Sequence, residues 1–219
     1  MTEEDFAQAV ANALKRRQSS ITHIKQVVVE MQGTLYDTTA ATMAIPLFYA
    51  HWEGFVRETL MIYLEFVEEQ QILPQNANPT IFAFSLRRQL RSLSGKQTVE
   101  RLTEFASSTL AMLSGPIRFS DKTIDTKSNL NFEVLEGLCL AFCIKIERLR
   151  DSKADINVLV NRRNNIAHGN KPQKMDLEDI EEYATLVSKI LADFETALNE
   201  AVIKKTFTKP KKFIMVPLC

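Results

Sequence analysis

Glycine, cysteine, histidine and net charge are all scarce in this chain, and each shortage removes a class of protein. Only 6 of 219 residues are Gly, and turn dipeptides are correspondingly few, which disfavours folds built from many short strands. Three cysteines make neither a zinc pattern nor an even-numbered disulfide framework: Cys139 and Cys143 stand four apart on an apolar stretch and Cys219 is terminal. They read as small core or tail hydrophobes. The 3 histidines are far apart and no carboxylates cluster at ligand spacing, so no metal or other cofactor is expected. Long apolar runs are absent as well. A membrane span needs about 20 apolar residues, whereas the best candidate, residues 135–144, is short and interrupted by Glu136. The acidic start (Glu3, Glu4, Asp5) has no positive region followed by an apolar one, so no membrane association and a cytoplasmic location are expected. Finally, 27 basic against 27 acidic residues leave a formal charge of zero, which on its face disfavours a nucleic-acid partner.

What remains is 45% hydrophobic and 25% charged, enough for one substantial core and incompatible with a disordered chain. Apolar residues recur at i, i+3 and i+4 along most of the length, the pattern of an all-α protein. The spacing predicts a helix over residues 3–31, closed near Gly33, and a second over 38–71, N-capped by Thr38 or Thr39, kinked or begun at Pro46 and stopped by Pro74. Shorter helices follow over 79–93 and 98–113, with Gly115 and Pro116 ending the latter, and 117–127 reads as a loop. One helix is predicted from Ser128 or Asn129 to Arg150, another from an Asp155 cap to His168, and a long last one from Asp176 with the stripe Ile180, Tyr183, Ala184, Val187, Leu191 and Phe194. A single domain over 1–203 followed by a basic, apolar-ended tail at 204–219 summarises the organisation, with the tail a docking arm or disordered.

Residues 155–170 read DINVLVNRRNNIAHGN, and one residue there breaks the pattern. At about 100° per residue, with Arg163 at zero, Ile156 falls near +20°, Leu159 near −40°, Val160 near +60° and Ile166 near −60°. Arg163 thus sits in the centre of the apolar stripe. A guanidinium keeps its charge at neutral pH, so burying it demands a carboxylate, an interface or an anionic ligand. On one polar edge beside it lie Asn164 and His168, extended by Asn161 and Asn165. A fixed cation, an imidazole and an orienting amide together suit phosphodiester cleavage. The same residues also suit a cationic cap on the last carbonyls of a helix.

Arg163-Asn164-Asn165-Ile166-Ala167-His168 has the form R-N-x-x-A-H and is followed by Gly169. It resembles the R-x(4–6)-H motif of HEPN domains. The blocks His51-Trp52-Glu53-Gly54-Phe55-Val56 and Asp125-Thr126-Lys127-Ser128-Asn129-Leu130-Asn131 resemble those of the RiboL-PSP-type branch. Together the blocks reach from about residue 45 to about residue 195. The resemblance implies a HEPN-type all-α bundle with additional helices, and a metal-independent endoribonuclease of a toxin–antitoxin or antiviral defence system. It implies a homodimer with two motifs in one composite cleft and a cognate antitoxin or defence partner. Carried onto this chain, Arg163 would bind the scissile phosphate of RNA, His168 would exchange protons with the 2′-hydroxyl or the leaving oxygen, and Asn164 would orient the pair. Arg162 is a candidate second phosphate contact and Glu53 a candidate counter-ion for Arg163; Glu53 exposed beside a packing Trp52, and Arg162 solvated, are the alternatives. A catalytically silent HEPN module binding RNA, nucleotide or a protein is the competing function, as is an immunity or interaction subunit.

The zero net charge hides separate blocks. Residues 84–101 hold five basic groups against Glu100 alone, five lysines lie between Lys204 and Lys212, and residues 176–200 hold eight acids against Lys189. Neutrality therefore does not count against RNA.

Overall fold

The computed structural model describes residues 1–93, 98–170 and 175–210. Among these residues all regular structure is helical, apart from one isolated antiparallel bridge between Ala77 and Thr208. Helix α1 (Glu3–Met31) opens on a capping box in which Thr2 and Asp5 exchange hydrogen bonds, and three acids in its first turn complement the helix dipole. Helix α2 (Asp37–Glu69) runs unbroken past Pro46. Its cap position is Tyr36, ahead of the threonines expected to cap it, because the connection is tight: the Asp37 amide donates to the Thr34 carbonyl and its carboxylate accepts from the Gly33 amide.

Two short helices follow, α3 (Pro79–Ser85) and α4 (Arg87–Ser92), where the sequence predicts one. At the break, the Arg87 guanidinium lies 4.1 Å from the centre of the Phe84 ring and donates to the Asp121 and Thr123 carbonyls at 2.5 and 2.8 Å. Helix α5 (Val99–Leu113), expected over 98–113, is N-capped by Thr98.

The helix predicted over 128–150 is two. Helix α6 (Phe132–Ala141) is capped by Asn131 and α7 is the single turn Glu147–Arg150. Between them Cys143 adopts φ +60° and the Ile144 amide closes back on the Cys139 carbonyl at 2.8 Å. The buried Tyr63 hydroxyl donates to the Phe142 carbonyl, fixing that turn. Helix α8 (Lys153–Ala167) starts before Asp155, which lies in its first turn; Ser152 occupies the cap position, its hydroxyl taken by the Lys189 ammonium at 2.9 Å. Helix α9 (Leu177–Ile203) opens on the Asp176–Asp179 capping box, and its predicted stripe is buried throughout.

Helices α1, α2 and α9 pack on one another and α8 lies along α2. Their core is aromatic: Trp52 and Phe55 meet Phe194 edge-on at 6.2 and 6.3 Å, and Tyr63 and Phe66 meet Phe207 at 6.3 and 6.0 Å. Phe207 is 1% exposed and lies beyond the boundary at 203, so the first residues after α9 belong to the folded body. There the Asn78 amide donates to the Phe207 carbonyl and Lys209 to Asn76. The remainder of the tail, 211–219, lies outside the described residues. No helix among those described is long and apolar enough to cross a membrane.

Candidate functional site

The loop predicted over 117–127 runs on to Asn131, the cap of α6, and is threaded across α2 and held there by hydrogen bonds. The Leu130 amide donates to the Tyr49 hydroxyl at 2.7 Å and the Leu130 carbonyl accepts from the Trp52 indole at 3.3 Å. Thr126 donates to Glu53 at 2.5 Å, and the Phe119 amide to Glu68. Ile117, Phe119, Ile124 and Leu130 are buried beneath it. The loop thus has a fixed seat on the face of α2 that carries Tyr49, Trp52 and Glu53.

Against the same face, α8 delivers Arg163. Ile156, Leu159 and Val160 of its stripe are buried, Arg163 and Ile166 half-buried, and Ala167 exposed. The stripe climbs out of the core as it approaches the motif, so Arg163 stands at the edge of the core and not in its centre. Its guanidinium carbon lies 4.7 Å from the centre of the Tyr49 ring, a cation–π platform. Nη1 donates to Oδ1 of Asn164 at 2.8 Å, and Nδ2 of Asn164 donates in turn to Oδ1 of Asn129 at 3.1 Å. No carboxylate lies within 4.0 Å of Arg163 among the described residues. Glu53, the expected counter-ion, instead accepts from Thr126 and sits beside the Tyr49 hydroxyl. Burial first, and the Glu53 carboxylate with it, push that hydroxyl above its ordinary pKa, while the Leu130 amide and Arg163 pull it down.

His168 ends the helix, and the chain leaves it through a Schellman turn: the Gly169 amide donates to Ile166 and the Asn170 amide to Asn165, with Gly169 at φ +71°. The imidazole is exposed and makes no hydrogen bond to Arg163 or to any other described residue. Arg162 faces the other way, 5.2 Å over the Tyr183 ring of α9, with Nη1 buried and without a hydrogen-bond partner.

Of the residues singled out in the sequence, Arg163 and Asn164 are bonded to each other, Glu53 is linked to them through Tyr49, His168 stands at the open helix end, and Arg162 belongs to a separate contact with α9. Tyr49 and Asn129 had not been singled out. Tyr49 lies one turn ahead of Glu53, and Asn129 lies inside the 125–131 block, but only the fold joins them to the motif. No group of three metal-ligating side chains occurs among the described residues.

An all-α bundle that carries R-N-x-x-A-H at the solvent end of the helix packed along its central long helix has the architecture of a HEPN domain. The family model for MAE_28990-like HEPN matches residues 6–207, nearly the whole described body, and the chain belongs to that family. That membership associates it with nuclease-like or RNA-related roles. No curated protein and no solved structure gives a significant match.

Proposed function

We propose that the protein is a metal-independent endoribonuclease of the toxin or defence type, acting on RNA at a cleft shared by two copies of the chain. The observation that carries this reading is the state of Arg163: a guanidinium half-withdrawn from water, bonded to a neutral amide and an aromatic face, with no carboxylate of the described residues within ion-pairing distance. A phosphodiester supplies the missing anion, and arginine matches its oxygens with paired N–H donors.

The chemistry balances with the motif's own groups. The 2′-hydroxyl oxygen bonds to phosphorus while its proton passes to a histidine, the bond from phosphorus to the 5′-oxygen breaks, and that oxygen leaves with a proton from a histidine. The products are a 2′,3′-cyclic phosphate and a 5′-hydroxyl. Arg163 binds the non-bridging oxygens and offsets the charge that builds on them. Asn164 sets the guanidinium's plane, a role supported by the Nη1 to Oδ1 bond. His168, exposed and without a hydrogen-bond partner among the described residues, is available to serve as the proton carrier, and a second copy would bring its own pair across the cleft. A cognate antitoxin or defence-system partner completes the proposal.

The test is RNA cleavage in EDTA by the wild type and by His168→Ala. Cleavage by the first and its loss in the second, with unchanged melting, is expected; equal cleavage by both would refute the assignment.

A further inference from the structure

Arginine has only donors, and this fixes the direction of the hydrogen-bond chain at the motif. Because Nη1 of Arg163 occupies Oδ1 of Asn164, the Asn164 amide turns Nδ2 outward, and Nδ2 occupies Oδ1 of Asn129. Asn129 is therefore committed to accept through its oxygen. Its own Nδ2, with two N–H groups, is the open end of the chain. That nitrogen has no hydrogen-bond partner among the described residues and is not buried.

Asn129 is held from both sides. Its amide donates to the Thr126 carbonyl at 3.1 Å and its carbonyl accepts from Asn131 at 2.7 Å. Leu130 after it is pinned by Tyr49 and Trp52, and Lys127 and Ser128 before it both take left-handed conformations, φ +57° and +51°. Two consecutive non-glycine residues in that region bend the loop sharply. The result is a half-buried carboxamide of fixed direction, with free donors, two hydrogen bonds from an unneutralised guanidinium. Glu53, the carboxylate beside Tyr49, is engaged by Thr126. A site whose open groups are donors takes an acceptor-rich anion.

We propose that Asn129 is a substrate-binding residue, its Nδ2 donating to a non-bridging oxygen of the phosphodiester that Arg163 holds. This rests on the ribonuclease reading above and adds to it a group from outside the motif. Asn129 then does two things: its oxygen orients Asn164, and its nitrogen binds phosphate.

The two roles separate in Asn129→Asp, which keeps an acceptor for Asn164 and loses the donors. Binding of inorganic phosphate and of an uncleavable 2′-O-methyl oligoribonucleotide is measured for the wild type, Asn129→Asp and Asn129→Ala. A hydrogen bond to a charged group corresponds to a loss of about tenfold or more in affinity. Both variants are expected to show it, the aspartate the larger because it adds like charge. Affinity in Asn129→Asp equal to wild type would overturn the inference, leaving orientation as the only role; should that variant fail to fold, equal affinity in Asn129→Ala overturns it likewise. If the wild type binds phosphate, Asn129→Asp loses it, and RNA is not cleaved, the contact stands and the ribonuclease reading falls.

Discussion

Replacing Arg163 by alanine separates chemistry from architecture, because the two make opposite demands on stability. An arginine in a buried ion pair leaves an uncompensated charge when it is removed, at a cost of about 3–5 kcal/mol. Arg163 has no such pair among the described residues. Its deletion removes a cation–π contact with Tyr49, about 0.5–2 kcal/mol, and one hydrogen bond to a half-buried amide that water can re-satisfy, about 1 kcal/mol. The expected total is about 1.5–3 kcal/mol. At about 2–4 °C per kcal/mol for a domain of this size, the melting temperature should fall by about 3–12 °C with a cooperative transition retained. Cleavage should fall much further, about 10²- to 10³-fold, the usual consequence of deleting a group that stabilises transition-state charge. The assay is a thermal melt by circular dichroism beside single-turnover cleavage of a labelled RNA. A variant that is unfolded, or one that melts as expected yet cuts RNA at the wild-type rate, would refute the reasoning.

Gly169→Ala meets no atom of the described residues within 4 Å of its new Cβ, so its cost is conformational: φ +71° in a residue with a side chain, about 1–2 kcal/mol. Melting should fall by about 2–8 °C, and cleavage should fall with it because the turn sets the direction of His168; unchanged melting would show that the turn rearranges freely. His51 is held below its ordinary pKa by burial and by Arg17 beside it, and its Nδ1 is buried without a hydrogen bond. The unfolded chain therefore takes up this proton first, so stability is full above about pH 6.5 and declines as pH falls from there through the folded value. His51→Gln should flatten that decline in melts across pH 5–8, and a wild-type minus variant difference that stays constant over the range would contradict it.

Much of the scaffold was legible because its signals are local. Thr2 with Asp5, and Asp176 with Asp179, mark the starts of α1 and α9 by cap chemistry alone, and the α9 stripe announces its buried face. The break after α6 was not, since Phe142, Cys143 and Ile144 include neither Gly nor Pro; what bends the chain there is a hydroxyl from Tyr63, far away in sequence. Asp155 and Thr38 were plausible caps: α8 starts earlier, from a cap at Ser152, which is held by Lys189 far away in sequence, and α2 starts earlier because of the local hydrogen bonds of the turn from Gly33 to Asp37. At the motif, helical spacing identified the anomaly of Arg163 and the imidazole and amide beside it. It misplaced the arginine slightly, because a wheel projection has no axis coordinate and cannot show that α8 is leaving the core at that turn. The partner of Arg163 was also beyond it: a cation at an apolar position calls for compensation, but a carboxylate such as Glu53 and an aromatic face such as Tyr49 lie one turn apart on the same helix. Asn129 enters through a loop whose course depends on the hydroxyl of Tyr49 and the indole of Trp52.

The central claim, RNA cleavage by 2′-hydroxyl attack using Arg163 and His168, is tested most directly by the ends it leaves. Purified protein and a defined RNA are incubated in EDTA, and the fragments are analysed by mass spectrometry. The account predicts a 2′,3′-cyclic phosphate on the upstream fragment and a 5′-hydroxyl on the downstream one, absent with Arg163→Ala or His168→Ala. An intact RNA, or fragments carrying a 3′-hydroxyl and a 5′-phosphate, would contradict it.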